Sequence, residues 1–290
     1  MRPGDASNQA TLARPEFLRL RQLINSRAGL TFDDNAQQMF EKRLGERLVA
    51  TNSGTFSDYI KLLESDAEES DVVYTLLTTK ETYFFRQEYQ LDAFTKEVLP
   101  AIAEANAHHR RLTVWSAGCS TGEEAYTLAI LLSELSLLEG WFLRVLGTDL
   151  CRQNIDTANR AVYKGSSFRT TSEQHLKAHF VPQGDGSYKV AEPLRRICHF
   201  SRVNLLDHNA VRTVGRVDVV FCRNVIIYFD EYSRQKVMAQ VFQRLLPGGY
   251  LFLGHSESLL NVETPFVPKQ LKGDVAYRRL GSVPPAGRPA

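Results

Sequence analysis

The chain has 290 residues, 43% hydrophobic and 23% charged, with a net charge of +2. That length buries a substantial core with room for a second small domain, and the near balance of charge offers no concentrated basic face of the kind nucleic-acid binding demands. No apolar run approaches the length of a membrane span and the N-terminal MRPGDASNQA lacks the apolar stretch of a secretory signal, so a cytoplasmic protein is expected.

Residues 11–77 show helical periodicity and read as a small all-helical domain. One apolar face is Phe17, Leu20, Leu23 and Ile24, a second Met39, Phe40, Leu44 and Leu48, a third Phe56, Tyr59, Ile60, Leu62 and Leu63. Lys42, Arg43 and Arg47 fall on the side away from Phe40, Leu44 and Leu48. They form a basic ridge that would meet an acidic partner helix, or else an ordinary solvated face. Residues 78–99 form a linker. Its LLTTKETYFFR stretch, Leu76 to Arg86, either folds over a ligand as one wall or packs Tyr83, Phe84 and Phe85 into an interdomain core as a linker helix.

Beyond Arg86, over residues 100–281, strands alternate with helices, the pattern of a largely parallel, doubly wound α/β sheet. Strands are predicted at Leu112 to Ser116, Phe142 to Thr148, His199 to Asn204, Val217 to Cys222, Tyr250 to Gly254 and Val275 to Leu280. Helices are predicted at Glu123 to Leu138, Arg152 to Ala161 and Glu231 to Leu246, the last ended by Pro247, Gly248 and Gly249. An insert over about 163–196 carries a short helix, Ser172 to Phe180, and a small hairpin turning at Gly184 to Gly186. Residues 282–290, rich in proline and glycine, read as a disordered tail.

LTVWSAGCSTGEEAYTLAIL, Leu112 to Leu131, reads as a strand, a small-residue loop and a helix start, with Gly118 and Gly122 letting backbone approach a ligand closely. A phosphate site wants bare amides at the helix N-terminus. Glu123 and Glu124 stand there instead, suited to ribose hydroxyls or an amino group, which tilts the ligand toward S-adenosylmethionine. In doubly wound sheets ligands lie beyond the carboxyl ends of the strands. Asp149 is placed there to accept a ribose diol or to cap a helix, Asn204 and Leu205 to contact an adenine, and Arg223, Asn224 and Tyr228 to rim the same crevice, where Arg223 and Asn224 have little structural reason to be buried. Cys119, Cys151, Cys198 and Cys222 form no CxxC pair and read as reduced, mostly buried thiols. His175 and His179, four apart, lack a third ligand, so no metal is expected, and His255 reads as a structural hydrogen-bonding residue.

The segments TTKETYFFR, VWSAGCSTGEEAYTLAI, GTDL, VNLLD, VVFCRNVIIYFD and LLPGGYLFLGHSE occur in the order and approximate spacing of CheR-type chemotaxis receptor methyltransferases, which the chain resembles over nearly its whole length. The resemblance implies a Rossmann-like sheet and transfer of a methyl group from S-adenosylmethionine to receptor glutamates, giving S-adenosylhomocysteine without a metal. It implies cofactor contacts at Lys80, Thr82, Arg86, Glu124, Asp149, Asn204, Leu205, Arg223 and Asn224, with Arg86 and Tyr228 nearest the methyl-transfer centre. Lys80 stands where the family often carries asparagine. Lys42, Arg43 and Arg47 would dock the cytoplasmic helical methylation region of chemoreceptors. The enzyme is expected to be a monomer that binds no nucleic acid and inserts into no membrane. The short Gly184 to Gly186 turn favours a tether-independent enzyme. Two rival readings are a noncatalytic S-adenosylmethionine-binding scaffold and a methyltransferase for another substrate class.

Overall fold

The computed structural model describes residues 10–78 and 81–281, so the expectations placed on Lys80 and on the tail from residue 282 lie outside the described residues. Contacts divide the chain between Thr79 and Lys80 into two units.

The first unit holds α1 (Arg14–Ala28), α2 (Gln37–Ala50), α3 (Phe56–Ser65) and α4 (Ala67–Leu77). Local chemistry sets their ends. Proline in the first turn opens α1 and left-handed Gly29 closes it. Thr55 caps α3 by accepting from Asp58 N, and Asp66 caps α4 by accepting from Glu68 N and Glu69 N. Phe17, Leu20, Ile24, Phe40, Leu44, Leu48, Phe56, Tyr59, Ile60 and Leu63 are buried, with Phe17 and Phe40 edge to face at 5.2 Å.

The second unit begins with α5 (Glu88–Ala93), a π-helical turn (Phe94–Val98) and α6 (Leu99–Ala105). There follow β1 (Arg111–Ala117), α7 (Glu123–Glu134), β2 (Phe142–Asp149), α8 (Arg152–Arg160) and β3 (Val162–Lys164). The insert continues with α9 (Glu173–His179), β4 (Phe180–Pro182), β5 (Ser187–Val190) and α10 (Glu192–Ile197). The remainder is β6 (Cys198–Arg202), α11 (His208–Arg212), β7 (Val217–Cys222), α12 (Glu231–Arg244), β8 (Leu245–Leu253), β9 (Val267–Leu271) and β10 (Asp274–Arg278).

The seven-stranded sheet runs β6-β2-β1-β7-β8-β10-β9, the first five strands parallel and β10 antiparallel to both neighbours. Every residue of β7 is buried, as a central parallel strand requires. Strand order reverses between β1 and β7, so the loops leaving them part and open a crevice at their carboxyl ends. β3, β5 and β4 form a separate antiparallel sheet, whose β4–β5 hairpin is the predicted one.

Some boundaries differ from expectation. α12 ends at Arg244, and Pro247, Gly248 and Gly249 lie inside β8 rather than ending the helix. There the register jumps, with Val217 opposite Leu245 but Val219 opposite Tyr250. A Cβ on Gly249 would stand 2.5 Å from the Asp218 carbonyl oxygen, so the bulge needs glycine. α7 stops at Glu134, with a 3₁₀ turn from Ser136 to Leu138 completing the predicted span. β9 was not anticipated: it is an edge strand, mostly exposed and containing Pro268, so it carries no alternating pattern. No helix of the described residues is long and apolar enough to cross a membrane.

Candidate active site

The loop after β1 forms one side of the crevice. Gly118 N and Cys119 N both donate to the Thr148 carbonyl, at 2.7 and 2.8 Å, which folds the loop back on β2. Protein packing requires both glycines. A Cβ on Gly118 would stand 2.4 Å from Val225 Cγ2, and one on Gly122 would stand 2.8 Å from Ala158 Cβ and 2.9 Å from Tyr163 Oη. Between them Ser120 takes a left-handed φ of 50°, and its N–H donates to Asp149 Oδ2 at 2.9 Å. Asp149 Oδ1 accepts from Cys151 N at 2.9 Å and Asn154 Nδ2 at 3.0 Å. Asp149 therefore braces the loop rather than capping α8, whose N-cap is Cys151.

Burial raises the Asp149 carboxyl above its ordinary value, its hydrogen bonds opposing the shift. Ser120 Oγ and Asn154 Oδ1 are buried with no protein partner. Half-buried Asp149, whose Oδ2 accepts a single N–H among the described residues, keeps acceptor capacity beyond β2, which fits a hydroxyl donor of a ribose. Among the described residues no His, Cys, Asp and Glu group is arranged to hold a metal ion.

Glu123 and Glu124 open α7 with different partners. Glu123 is only 2% exposed and accepts from Thr121 Oγ1 at 2.6 Å and Ser167 Oγ at 2.9 Å. Burial raises its carboxyl. Glu124 accepts from Ser116 Oγ at 2.6 Å and from Arg223 Nε at 2.7 Å. Arg223 is 6% exposed, contrary to the expectation that it had little reason to be buried, because Glu124 supplies its countercharge. Its Nη1 donates to the carbonyl of Arg86 at 3.0 Å and to the side-chain oxygens of Gln87 and Gln90 at 3.2 and 3.1 Å. Arg223 fastens residues 86–90 to the sheet.

Residues 81–87 are not the helix of the linker reading, and their aromatic side chains pack within this unit against the insert. Phe84 N donates to the Ser167 carbonyl at 2.9 Å, Thr170 Oγ1 to the Phe84 carbonyl at 2.6 Å, and Phe85 N to Thr127 Oγ1 at 3.1 Å. The Phe84 ring stacks on Phe168 and Phe85 stacks on His175. Arg169 lies 3.6 Å from the Tyr83 ring centre and pairs with Glu81 at 2.7 Å. Phe85 and Gln87 both have positive φ, 58° and 60°, a strained backbone on either side of Arg86. Arg86 is half-buried and donates to the Glu81 carbonyl at 2.7 Å, and Thr82 is half-buried in the same segment.

Beyond β7, Asn224 takes a φ of 58° and Tyr228 ends a 3₁₀ turn, Ile226–Tyr228. The half-buried Tyr228 has no hydroxyl partner among the described residues. Beyond β6, half-buried Asn204 accepts from Leu206 N at 3.0 Å through its side chain, and buried Leu205 accepts from Gln240 Nε2 at 2.7 Å through its carbonyl. Sequence reasoning missed Glu257, whose carboxylate takes the backbone N–H groups of Asn224, Val225, Ile227 and Gly254. The available signal was an acid placed just after a strand in GHSES.

His175 and His179 have a carboxylate beside them that the sequence did not show. Glu134 is a carboxylate shared by His179 Nε2 at 2.7 Å and His175 Nε2 at 3.4 Å, a pairing between the end of α7 and the insert that spacing alone could not reveal. Exposed His255 hydrogen-bonds its neighbour Ser256 Oγ at 3.0 Å. In the helical unit, Arg47 pairs with Glu69 through Nε at 2.8 Å and Nη2 at 2.6 Å. Arg43 donates to the Leu76 carbonyl at 2.9 Å, capping α4. Of the predicted ridge, Lys42 and Arg43 are exposed, Lys42 without a protein partner among the described residues, while Arg47 is half-buried against Glu69.

Residues 15–78 match the family model described as CheR methyltransferase, all-alpha domain, and residues 80–274 the model described as CheR methyltransferase, SAM binding domain. Chemotaxis protein methyltransferase 2 of Vibrio cholerae serotype O1 is 32% identical over 276 residues, spanning 93% of this chain and 94% of that protein. Chemotaxis protein methyltransferase of Salmonella typhimurium is 32% identical over 278 residues, 93% of this chain and 92% of its own length. Chemotaxis protein methyltransferase 1 of Pseudomonas aeruginosa is 29% identical over 272 residues, 92% and 98% of the two chains. With strand order reversing between β1 and β7, both family models matched, and relatives aligned nearly end to end, this chain belongs to the CheR methyltransferase family and is an S-adenosylmethionine-dependent methyltransferase.

Proposed function

We propose that the chain transfers the methyl group of S-adenosylmethionine to glutamate carboxylates in the cytoplasmic helical methylation region of chemoreceptors, yielding methyl esters and S-adenosylhomocysteine. The observation that carries the reading is half-buried Asp149 at the carboxyl end of β2, with acceptor capacity left on Oδ2 for a ribose hydroxyl. The names of the relatives support the chemosensory setting. The enzyme acts in the cytoplasm as a monomer, and Lys42 contributes to meeting the acidic receptor helix.

When bound, S-adenosylmethionine supplies a methyl group already activated on a sulfonium. Thr82, Arg86, Asn204, Leu205 and Asn224 line its place with Asp149, while Glu124 and Arg223 act by holding their surroundings. A glutamate side chain, with an ordinary pKa of about 4.3, arrives anionic and needs no general base. The remaining task is orientation. The Tyr228 hydroxyl donates to one carboxylate oxygen and leaves the other free to attack, while Arg86 attracts the carboxylate from farther out. Too close an ion pair would quench the nucleophile.

The test is labelling of receptor cytoplasmic fragments with methyl-tritiated cofactor. Base-labile counts released as volatile methanol report an ester on a carboxylate. Base-stable counts, or none beside tight binding of S-adenosylhomocysteine, would reject the reading.

A further inference from the structure

Four backbone N–H groups converge on one carboxylate beside the crevice. Glu257 Oε1 accepts from Val225 N at 2.9 Å and Ile227 N at 3.1 Å, and Oε2 from Asn224 N at 2.7 Å and Gly254 N at 2.6 Å. No cation pairs with it among the described residues. The charge is met by amide dipoles alone, the arrangement of an anion-binding nest. The fit is close on the far side as well: a Cβ on Gly254 would stand 2.6 Å from Glu257 Oε2 and 2.8 Å from Asn224 N. Asn224 holds its left-handed φ of 58° within this nest, and Tyr228 follows one residue after the last amide. Ile226 and Phe229 anchor the loop by burial, and the carboxylate adds the tie that holds its strained residue in one geometry.

We infer that Glu257 is a positioning residue for methyl transfer, its carboxylate filling the nest that sets where Asn224 and Tyr228 stand. The link to turnover rests on the proposed role of Tyr228, while the nest itself is tested separately. Each oxygen already accepts two N–H groups, so Glu257→Gln puts an amide donor against two donors and is not a conservative change. Glu257→Ala empties the nest without adding a donor.

The experiment measures amide hydrogen exchange over residues 222–229, S-adenosylhomocysteine affinity and methylation turnover for the wild type and both variants. Acetate and formate are added to Glu257→Ala, with chloride at equal ionic strength as control. Both variants should lose exchange protection in that segment and turn over at least about tenfold more slowly, as expected when a reacting group is misplaced. Acetate or formate, but not chloride, should restore protection and part of the turnover in Glu257→Ala, and adding Tyr228→Phe to Glu257→Gln should slow it no further. Unchanged protection in Glu257→Ala, or equal effects of chloride and carboxylates, overturns the inference. Should Tyr228→Phe alone turn over normally, the role of Tyr228 falls, while exchange and rescue still decide on Glu257. If Glu257→Gln does not fold, the alanine variant carries the same measurements.

Discussion

Arg223 Nε lies 2.7 Å from Glu124 Oε2, a contact between residues 99 positions apart that joins the end of β7 to the first turn of α7 across the line where strand order reverses. The side chains are 2% and 13% exposed, so removing one partner leaves a charge in a poorly solvated place. Glu124→Ala should lower unfolding free energy by about 3–5 kcal/mol and loosen residues 86–90. The double change Glu124→Leu with Arg223→Met should recover part of the stability but not cofactor binding. Urea titration and calorimetry with S-adenosylhomocysteine check both; a double variant no more stable than Glu124→Ala would show that the pair does not act as a unit.

Tyr228→Phe removes a hydroxyl with no protein partner among the described residues, so stability should stay within about 0.5 kcal/mol of the wild type. Turnover should fall by about tenfold or more, because the carboxylate loses the donor that orients it. Affinity for S-adenosylhomocysteine should hardly move. Normal turnover in the variant would remove Tyr228 from the methyl-transfer centre.

Within the basic ridge, Lys42 and Arg47 give opposite tests. Lys42→Glu should raise the receptor concentration required for half-maximal rate and leave thermal stability unchanged, since Lys42 is exposed. Arg47→Glu should instead destabilise the helical unit by about 3 kcal/mol or more, because Glu69, buried and also bonded by the Tyr59 hydroxyl at 2.6 Å, would face a second carboxylate. Receptor titration alongside circular-dichroism melting distinguishes them.

Glu123 sets a pH dependence of stability. Burial raises its carboxyl above the ordinary 4.5. The native chain holds that proton more tightly than the unfolded chain, so this contribution is full below 4.5 and is lost as pH climbs through the raised value. Glu123→Gln keeps a neutral partner for Thr121 and Ser167. Its melting temperature should exceed that of the wild type near about pH 8 and match it near about pH 4. A gain independent of pH would assign the effect to packing.

Much of the fold was legible because local patterns carried it. The apolar VDVVFC gave β7, the small-residue run from Ala117 to Gly122 gave the turn into α7, and Gly184 to Gly186 gave the hairpin of the insert. What escaped depends on partners distant in sequence. Arg223 reads as a surface residue until Glu124 is seen opposite it, and Arg47 as part of a ridge until Glu69 is found 22 residues on. Glu257 gave only the weak sign of an acid just after a strand, because backbone amides that converge only after folding leave no mark in composition. β9 was lost for the opposite reason: an exposed edge with a proline needs no hydrophobic alternation.

The bonds between residues 81–85 and the 167–170 stretch, through Phe84, Thr170, Arg169 and Tyr83, make the two segments a single mechanical piece. An exchange of inserts between members of the family must therefore carry the matching strap with it. A chimera that swaps only residues 163–196 would inherit a mismatched seam beside Arg86, and its lost activity would report that seam rather than any preference of the transplanted lobe for a receptor.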